Sequence, residues 1–347
     1  MKSKWVWMTI LVLTLMTGCN SEQPEIVDDD VIKIGISFDS FVVERWQREM
    51  EILVATATEL GAEVDVQIAN EDIEKQIKQI RNLIAQDVDV LIIVPKDAEA
   101  LSPAIDEAYK NGIGIIAYDR LIIHPDLDLY ISFDNEAIGE NISERLIKSM
   151  KIEEEAPPKQ ILVINGDPSD NNSSLLNTGF HKKLDPLIEV GEVVILEEIW
   201  AHEWREQYAK DVVEKHLSLG NRIDGIIAAN DVLATGAIEV LSKWQMAGDV
   251  FVVSQDAELS ACQRIVEGTQ LATVFKPINE LAIMTAKLAI EMAKGNKIET
   301  KDTIFNQYRE IPFVKLNAFV VDESNMEEII IKSGFHRKDD VYLNKNK

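Results

Sequence analysis

Short apolar runs alternate with segments of helical periodicity along most of the chain. Val88–Val94 is almost continuously apolar, as expected for a strand of a parallel sheet that is covered on both faces. Just before it, Ile73, Ile77, Ile80 and Ile84 repeat at the spacing of one helix face. We therefore predict repeated βαβ units with right-handed crossovers, which make an α/β fold with parallel sheets.

The strand and helix pattern falls into two blocks. The first block contains predicted strands at 31–37, 64–68, 88–94, 113–118 and 129–132. The second contains predicted strands at 161–164, 193–196, 225–228, 250–253 and 271–275. Two such blocks predict two doubly wound, Rossmann-like lobes, with the break between the blocks in the acidic, proline-containing loop Glu153–Lys159 or in the strand just before it.

The N-terminus has the features of an export signal. Lys2 and Lys4 precede the apolar run Trp5–Met16, which is shorter than the roughly 20 residues of an ordinary membrane span. The following Leu15–Cys19 resembles the bacterial lipobox, and that resemblance implies a lipid on Cys19. We predict a signal peptide at 1–18 and a lipidated tether at 19–30. A plain secreted protein with an incidental cysteine is the alternative.

Composition and motifs exclude several classes of function. A net charge of −25 disfavours nucleic acid and anionic membranes as partners, because phosphate contacts need Lys or Arg. Two cysteines and five scattered histidines are unlike a disulfide scaffold or a zinc site, so we expect no metal. A nucleotide site and an α/β-hydrolase site are also disfavoured, so we expect no cofactor, because no GxGxxG, GxxxxGK[ST] or GxSxG motif is present.

Polar groups suited to a ligand follow the predicted strands. In open parallel sheets, ligands bind outside the carboxyl ends of the strands, so these groups are expected to meet. They are mainly Asp, Asn and Arg side chains with tryptophans, in the segments Asp39–Trp46, Asp119–Arg120, Asn165–Asn172, Trp200–Arg205, Ala229–Asp231, Ser254–Asp256 and Lys276–Pro277.

This combination of side chains suits a neutral sugar. Carboxylates, amides and guanidinium groups bond adjacent hydroxyls, and an indole covers the apolar face of a pyranose. Two alternatives remain at this point. The Asp and Asn residues are also common helix caps, and Asp119 with Asp256 is also a possible acid/base pair for glycoside hydrolysis.

Longer strings carry a family resemblance over nearly the whole chain from Val31 onward. They are Glu44–Gln47, Ala117–Arg120, Tyr130–Asn135, Asp170–Asn172, Gln255–Ala257 and Lys276–Ile278. With them, the chain resembles the type I periplasmic sugar-binding proteins, and among these the D-xylose-binding proteins of bacterial ABC transporters. The resemblance implies two lobes joined by three hinge strands, which close on the sugar.

The resemblance also implies roles and boundaries. Trp46 and Trp204 would stack on the pentose, while Arg45, Asp119, Arg120, Asn172, Asn230, Asp256 and Lys276 would bond its hydroxyls. Crossings between lobes are expected at 133–135, 255–257 and 308–312, with Asp256 beside a hinge. The expected N-terminal lobe is 31–133 plus 258–309, and the C-terminal lobe is 134–257 plus 310–347.

We therefore expect a non-enzymatic, extracytoplasmic protein that is lipid-anchored and binds D-xylose. Its expected partner is an ABC sugar permease. The alternative partner is the extracellular domain of a membrane sensor histidine kinase, which the xylose-bound form would regulate. Two apolar stretches, Phe41–Val43 and Leu121–Ile123, are candidates for a partner surface or for simple packing.

Overall fold

The computed structural model describes residues 31–41, 45–152 and 157–345. The predicted signal peptide and Cys19 lie outside the described residues, as does most of the predicted break at 153–159. Within the described part of the chain, no helix combines the length and apolar character needed to span a bilayer.

Thirteen named strands and ten α-helices alternate along the described residues. The strands are β1 (Lys33–Phe38), β2 (Glu63–Ile68), β3 (Val90–Ile93), β4 (Gly114–Tyr118), β5 (Leu129–Phe133), β6 (Lys159–Asn165), β7 (Val193–Trp200), β8 (Gly225–Ala228), β9 (Phe251–Val253), β10 (Thr273–Phe275), β11 (Asp302–Phe305), β12 (Glu310–Leu316) and β13 (Phe319–Val321). The helices are α1 (Arg45–Glu59), α2 (Ile73–Ile84), α3 (Ser102–Lys110), α4 (Asn135–Met150), α5 (Asn171–Glu189), α6 (Glu206–Ser218), α7 (Asp231–Lys243), α8 (Leu259–Glu267), α9 (Ile278–Ala293) and α10 (Lys338–Val341).

The first lobe is built on a sheet with the order β11-β12-β5-β4-β3-β1-β2. Its strands pair in parallel except at the β11–β12 edge. Ile34 and Ile36 belong to the same buried cluster as Leu53 of α1, whereas Leu91 and Ile93 pack in a second buried cluster with Leu83 of α2. Burial on both faces explains why the central strands β3 and β4 are apolar along their whole length.

The second lobe is built on the parallel strands β7-β6-β8-β9, with α4 packed against α5 and α6 against α7. Strand β10 continues this sheet beside β9. The Leu271 N–H donates to the Val252 carbonyl at 2.8 Å, and the Val274 N–H donates to the Ser254 carbonyl at 3.0 Å. Strand β13 pairs antiparallel with β10 and forms the far edge.

Strand pairing places two of the three crossings between the lobes at positions other than the expected 255–257 and 308–312. By strand pairing, the chain passes between the sheets at 133–135, 275–278 and 316–319. Residues 259–275 therefore belong to the second lobe because β10 extends its sheet. Strand β12 belongs to the first lobe because it pairs with β5. Asp256 consequently lies within the second lobe and not beside a crossing.

The two apolar stretches behave as packing segments where they are described. Leu121, Ile122 and Ile123 are buried, so they present no surface to a partner. Phe41 packs edge-on against Phe38, with ring centroids 5.6 Å apart, and the rest of its stretch lies outside the described residues.

Candidate ligand-binding site

One small cavity of about 30 Å³ lies where the carboxyl ends of strands from both lobes meet. All nine predicted site residues line the cavity, together with Asp170 and Gln255. They follow β1 (Arg45 and Trp46), β4 (Asp119 and Arg120), β6 (Asn172), β7 (Trp204), β8 (Asn230), β9 (Asp256) and β10 (Lys276).

Two buried indoles supply the apolar surface of the cavity. Trp46 is 3% exposed and Trp204 is 9% exposed. The Arg45 guanidinium lies 4.4 Å from the centroid of the Trp46 ring, and the Arg120 guanidinium lies 5.6 Å from it. Neither indole N–H has a hydrogen-bond partner among the described residues. The rings therefore offer flat apolar area, with charged groups at their borders.

Trp204 lies directly on Gly166. A Cβ added at Gly166 would come within 2.1 Å of the Trp204 Cη2 atom. The turn that carries the indole is strained, because Glu203 and Trp204 both have a φ of 55°. Asp167 holds this turn by accepting the Glu203 N–H at 2.5 Å. Gly166 was not among the predicted site residues, although its place directly after β6 puts it at the edge of the sheet where the predicted site residues lie.

Buried ion pairs hold the polar side chains in place. Arg45 pairs with Asp119 at 2.8 Å, and Lys276 pairs with Asp256 at 3.0 Å. Burial alone would lower the pKa of Arg45, but Asp119 and Glu49 outweigh it and raise that pKa well above its usual value. Burial alone would raise the pKa of Asp119, but Arg45 and Lys276 outweigh it and lower that pKa. Both groups therefore stay charged at neutral pH.

Glu49 holds the Arg45 guanidinium from the same helix, α1, and was not among the predicted site residues. Its carboxyl is fully buried and contacts both the Arg45 guanidinium and the Tyr118 hydroxyl. Burial raises the pKa of Glu49, although the Arg45 charge opposes the rise. The spacing of four residues between Arg45 and Glu49 on one helix was the available signal.

Several cavity residues connect the two lobes. Asn172 of the second lobe donates to the Asp119 carbonyl at 3.0 Å and to its Oδ1 at 3.1 Å. The Arg120 Nε lies 2.7 Å from Asp170 Oδ2, and the other side of the same guanidinium pairs with Asp39 at 2.7 Å. The lobes are thus in contact across the cavity, which is a closed arrangement.

The helix-cap alternative holds for part of the set. Asn230 accepts the Leu233 N–H at 2.9 Å and caps α7, while also lining the cavity. Asp170 accepts the Asn172 N–H at 2.9 Å and caps α5. Capping uses one oxygen of each side chain, which leaves the Asn230 amide NH₂ available to a ligand, whereas Asp170 Oδ2 pairs with Arg120.

One group of potential metal ligands occurs in the described part of the chain, formed by Asp106, His124 and Asp126. The His124 Nδ1 accepts the Asp126 N–H at 3.2 Å, so its proton is on Nε2, 3.4 Å from Asp106. A metal ion on Nε2 would require the other tautomer, which gives up the hydrogen bond from the Asp126 N–H. None of the three residues lines the cavity.

Comparisons with known proteins agree with this architecture. The family profile described as periplasmic binding protein domain matches residues 34–297. The chain is 42% identical over 312 residues to the D-xylose-binding periplasmic protein of Haemophilus influenzae, covering 90% of this chain and 92% of that protein. It is 36% identical over 342 residues to the protein of the same name from Escherichia coli, covering 98% and 100%.

A crystal structure shows the same fold. It is an ABC transporter solute-binding protein from Clostridium phytofermentans with bound β-D-glucose. It matches with a TM-score of 0.83 at 25% identity and covers 89% of this chain and 99% of that one. The profile match, the relatives and the two-lobed α/β architecture together show that this chain belongs to the periplasmic binding protein family, with the type I fold.

Proposed function

We propose that the chain binds D-xylose in the cavity between its lobes and performs no covalent chemistry. The observation that carries the proposal is the convergence of two tryptophans and seven polar residues from both lobes on one cavity. The names of the relatives from Haemophilus influenzae and Escherichia coli support D-xylose as the sugar.

In this proposal, the indoles of Trp46 and Trp204 cover the apolar faces of the sugar. The charged side chains accept or donate hydrogen bonds at its rim, and their ion pairs keep them oriented before the sugar arrives. Because the polar contacts come from both lobes, only the closed arrangement makes all of them. Binding therefore favours closure by as much as the sugar prefers the closed state.

We further propose that the protein works outside the cytoplasm, anchored by a lipid on Cys19, and presents xylose to an ABC sugar permease. The acidic stretch Asn20–Asp30 would serve as a flexible tether. Docking of the xylose-bound form on a sensor histidine kinase is the alternative.

Calorimetric titration with a panel of pentoses and hexoses tests the ligand. We expect D-xylose to bind most tightly, and no heat from xylose at millimolar concentration would refute the proposal. Pull-down against a permease and against a sensor ectodomain, each with and without xylose, tests the partner. Capture by the permease in the presence of xylose, but not in its absence, supports the transport role. Capture by the sensor ectodomain and not by the permease refutes the transport role.

A further inference from the structure

The turn that carries Asp256 has an unusual backbone. Asp256 has a φ of 105° and Ala257 has a φ of 53°, and neither residue is glycine. Left-handed conformations in consecutive non-glycine residues persist only where the surroundings hold them. The Asp256 carboxylate on this turn lines the cavity and pairs with Lys276.

Each backbone N–H of the turn Asp256–Glu258 has a fixed acceptor. The Asp256 N–H donates to the Val274 carbonyl at 2.8 Å. The Ala257 N–H donates to the Thr273 hydroxyl at 3.1 Å. The Glu258 N–H donates to Asp231 Oδ2 at 2.9 Å.

Asp231 is the centre of this support. It is fully buried at the start of α7, beside the cavity residue Asn230 but outside the cavity lining. Four donors point at its carboxylate, from the Glu258 N–H, the Thr273 hydroxyl at 3.0 Å, the Gln270 amide at 3.2 Å and the Ser254 hydroxyl. Only an ionised carboxylate accepts from all four without offering a donor of its own.

We propose that Asp231 is a positioning residue for ligand binding, which acts by holding the Asp256 turn. Its carboxylate accepts the Glu258 N–H of the turn directly. It also accepts from the Thr273 hydroxyl, which in turn accepts the Ala257 N–H. The proposal rests on the proposed function only in that xylose is the ligand whose affinity reports the position of Asp256.

The test substitution is Asp231→Asn, which keeps the shape of the side chain but places an amide NH₂ among four donors. We expect the loss of one acceptor to release the turn and to weaken xylose binding by tenfold or more in calorimetry. The matched control is Asp224→Asn. Asp224 accepts the Gln160 N–H at 2.7 Å in the same lobe, but it does not line the cavity, and its substitution should leave xylose affinity unchanged.

A double-mutant cycle separates positioning from a general structural role. In an Asp256→Asn background, we expect Asp231→Asn to change xylose affinity less than threefold, because the side chain it positions has already been altered. Equal fold-changes in both backgrounds, or full affinity in the single variant, would overturn the proposal. If Asp231→Asn does not fold, Thr273→Val replaces it in the same cycle, because it removes the hydroxyl that accepts the Ala257 N–H. The same results would support or overturn the proposal.

Hydrogen exchange of the sugar-free protein tests the turn without any ligand. Amides of residues 256–258 should exchange faster in Asp231→Asn than in the wild type or in Asp224→Asn. Unchanged exchange there would overturn the positioning role. Absence of xylose binding by the wild type would instead refute the proposed function, and the exchange measurement would still decide the role of Asp231.

Discussion

Replacing Gly166 with alanine should push the Trp204 indole into the ligand cavity. The added Cβ would lie 2.1, 2.3 and 2.4 Å from three atoms of the ring, whereas ordinary contact begins near 3.4 Å. The ring must therefore move by about 1.3 Å, the difference between the ordinary and the closest distance. The backbone of Gly166 is not left-handed, so alanine adds no conformational strain at this position.

The size of the effect follows from what the indole supplies. Burial of a large apolar side chain contributes about 1.5–3 kcal/mol. Loss of most of this contact with the sugar should weaken xylose binding roughly 10- to 100-fold. Calorimetry on Gly166→Ala measures this change, and Trp204→Ala should show a similar loss. In the Trp204→Ala background, the glycine substitution should have little further effect.

Gly114→Ala is the matched control. Its Cβ would crowd the Met292 side chain, with 2.5 Å to the sulfur, at a place that does not line the cavity. It should lower stability and leave xylose affinity unchanged. Full affinity in Gly166→Ala would refute the reasoning, because it would mean that the sugar does not depend on the position of the Trp204 ring.

Three further predictions follow from other parts of the molecule. Arg48 of the first lobe donates to the Phe335 carbonyl at 3.0 Å and lies 4.6 Å over its ring, so Arg48→Ala should loosen the closed state. These contacts contribute about 1–2 kcal/mol, so stopped-flow kinetics should show xylose dissociation accelerated roughly 5- to 30-fold, with Gln47→Ala unchanged as control. Burial raises the pKa of Asp231 to about 6, so its folded-state pKa exceeds its unfolded value. As the pH rises from 4 to 6, the free energy of unfolding of the wild type, measured in urea, should therefore fall relative to that of Asp231→Asn by no more than about 3 kcal/mol. A difference between the two proteins that stays constant over this pH range would contradict the prediction. Cys19→Ser should move the protein from the membrane to the soluble fraction, and persistent membrane association would exclude the lipid anchor.

Parallel strand topology made the candidate site predictable in outline. Once the strands are recognised, their carboxyl ends must share an edge of each sheet, so the residues that follow them come together. Asp119 after β4 and Asp256 after β9 are far apart in the chain, yet both pair with Arg45. No knowledge of side-chain packing was needed to expect their proximity.

The limits of the lobes depended on pairing between distant segments. A short apolar run such as Thr273–Phe275 fits the edge of either sheet, because its pattern specifies burial but not a neighbour. Hydrogen bonds to the chain beside β9 place it in the second lobe. Likewise, the pairing of Glu310–Leu316 with β5 shifts the last crossing beyond the expected position.

The sequence by itself determined the α/β class, the two blocks and the polar groups at the strand ends, because these follow from local periodicity and from the directionality of strands. Only the tertiary structure decided which groups support them. Gly166 beneath Trp204, Glu49 beneath Arg45 and Asp231 behind the Asp256 turn act through contacts at van der Waals or hydrogen-bond distance. Such contacts depend on the three-dimensional packing of neighbouring elements, which a one-dimensional pattern of apolar and polar residues does not encode.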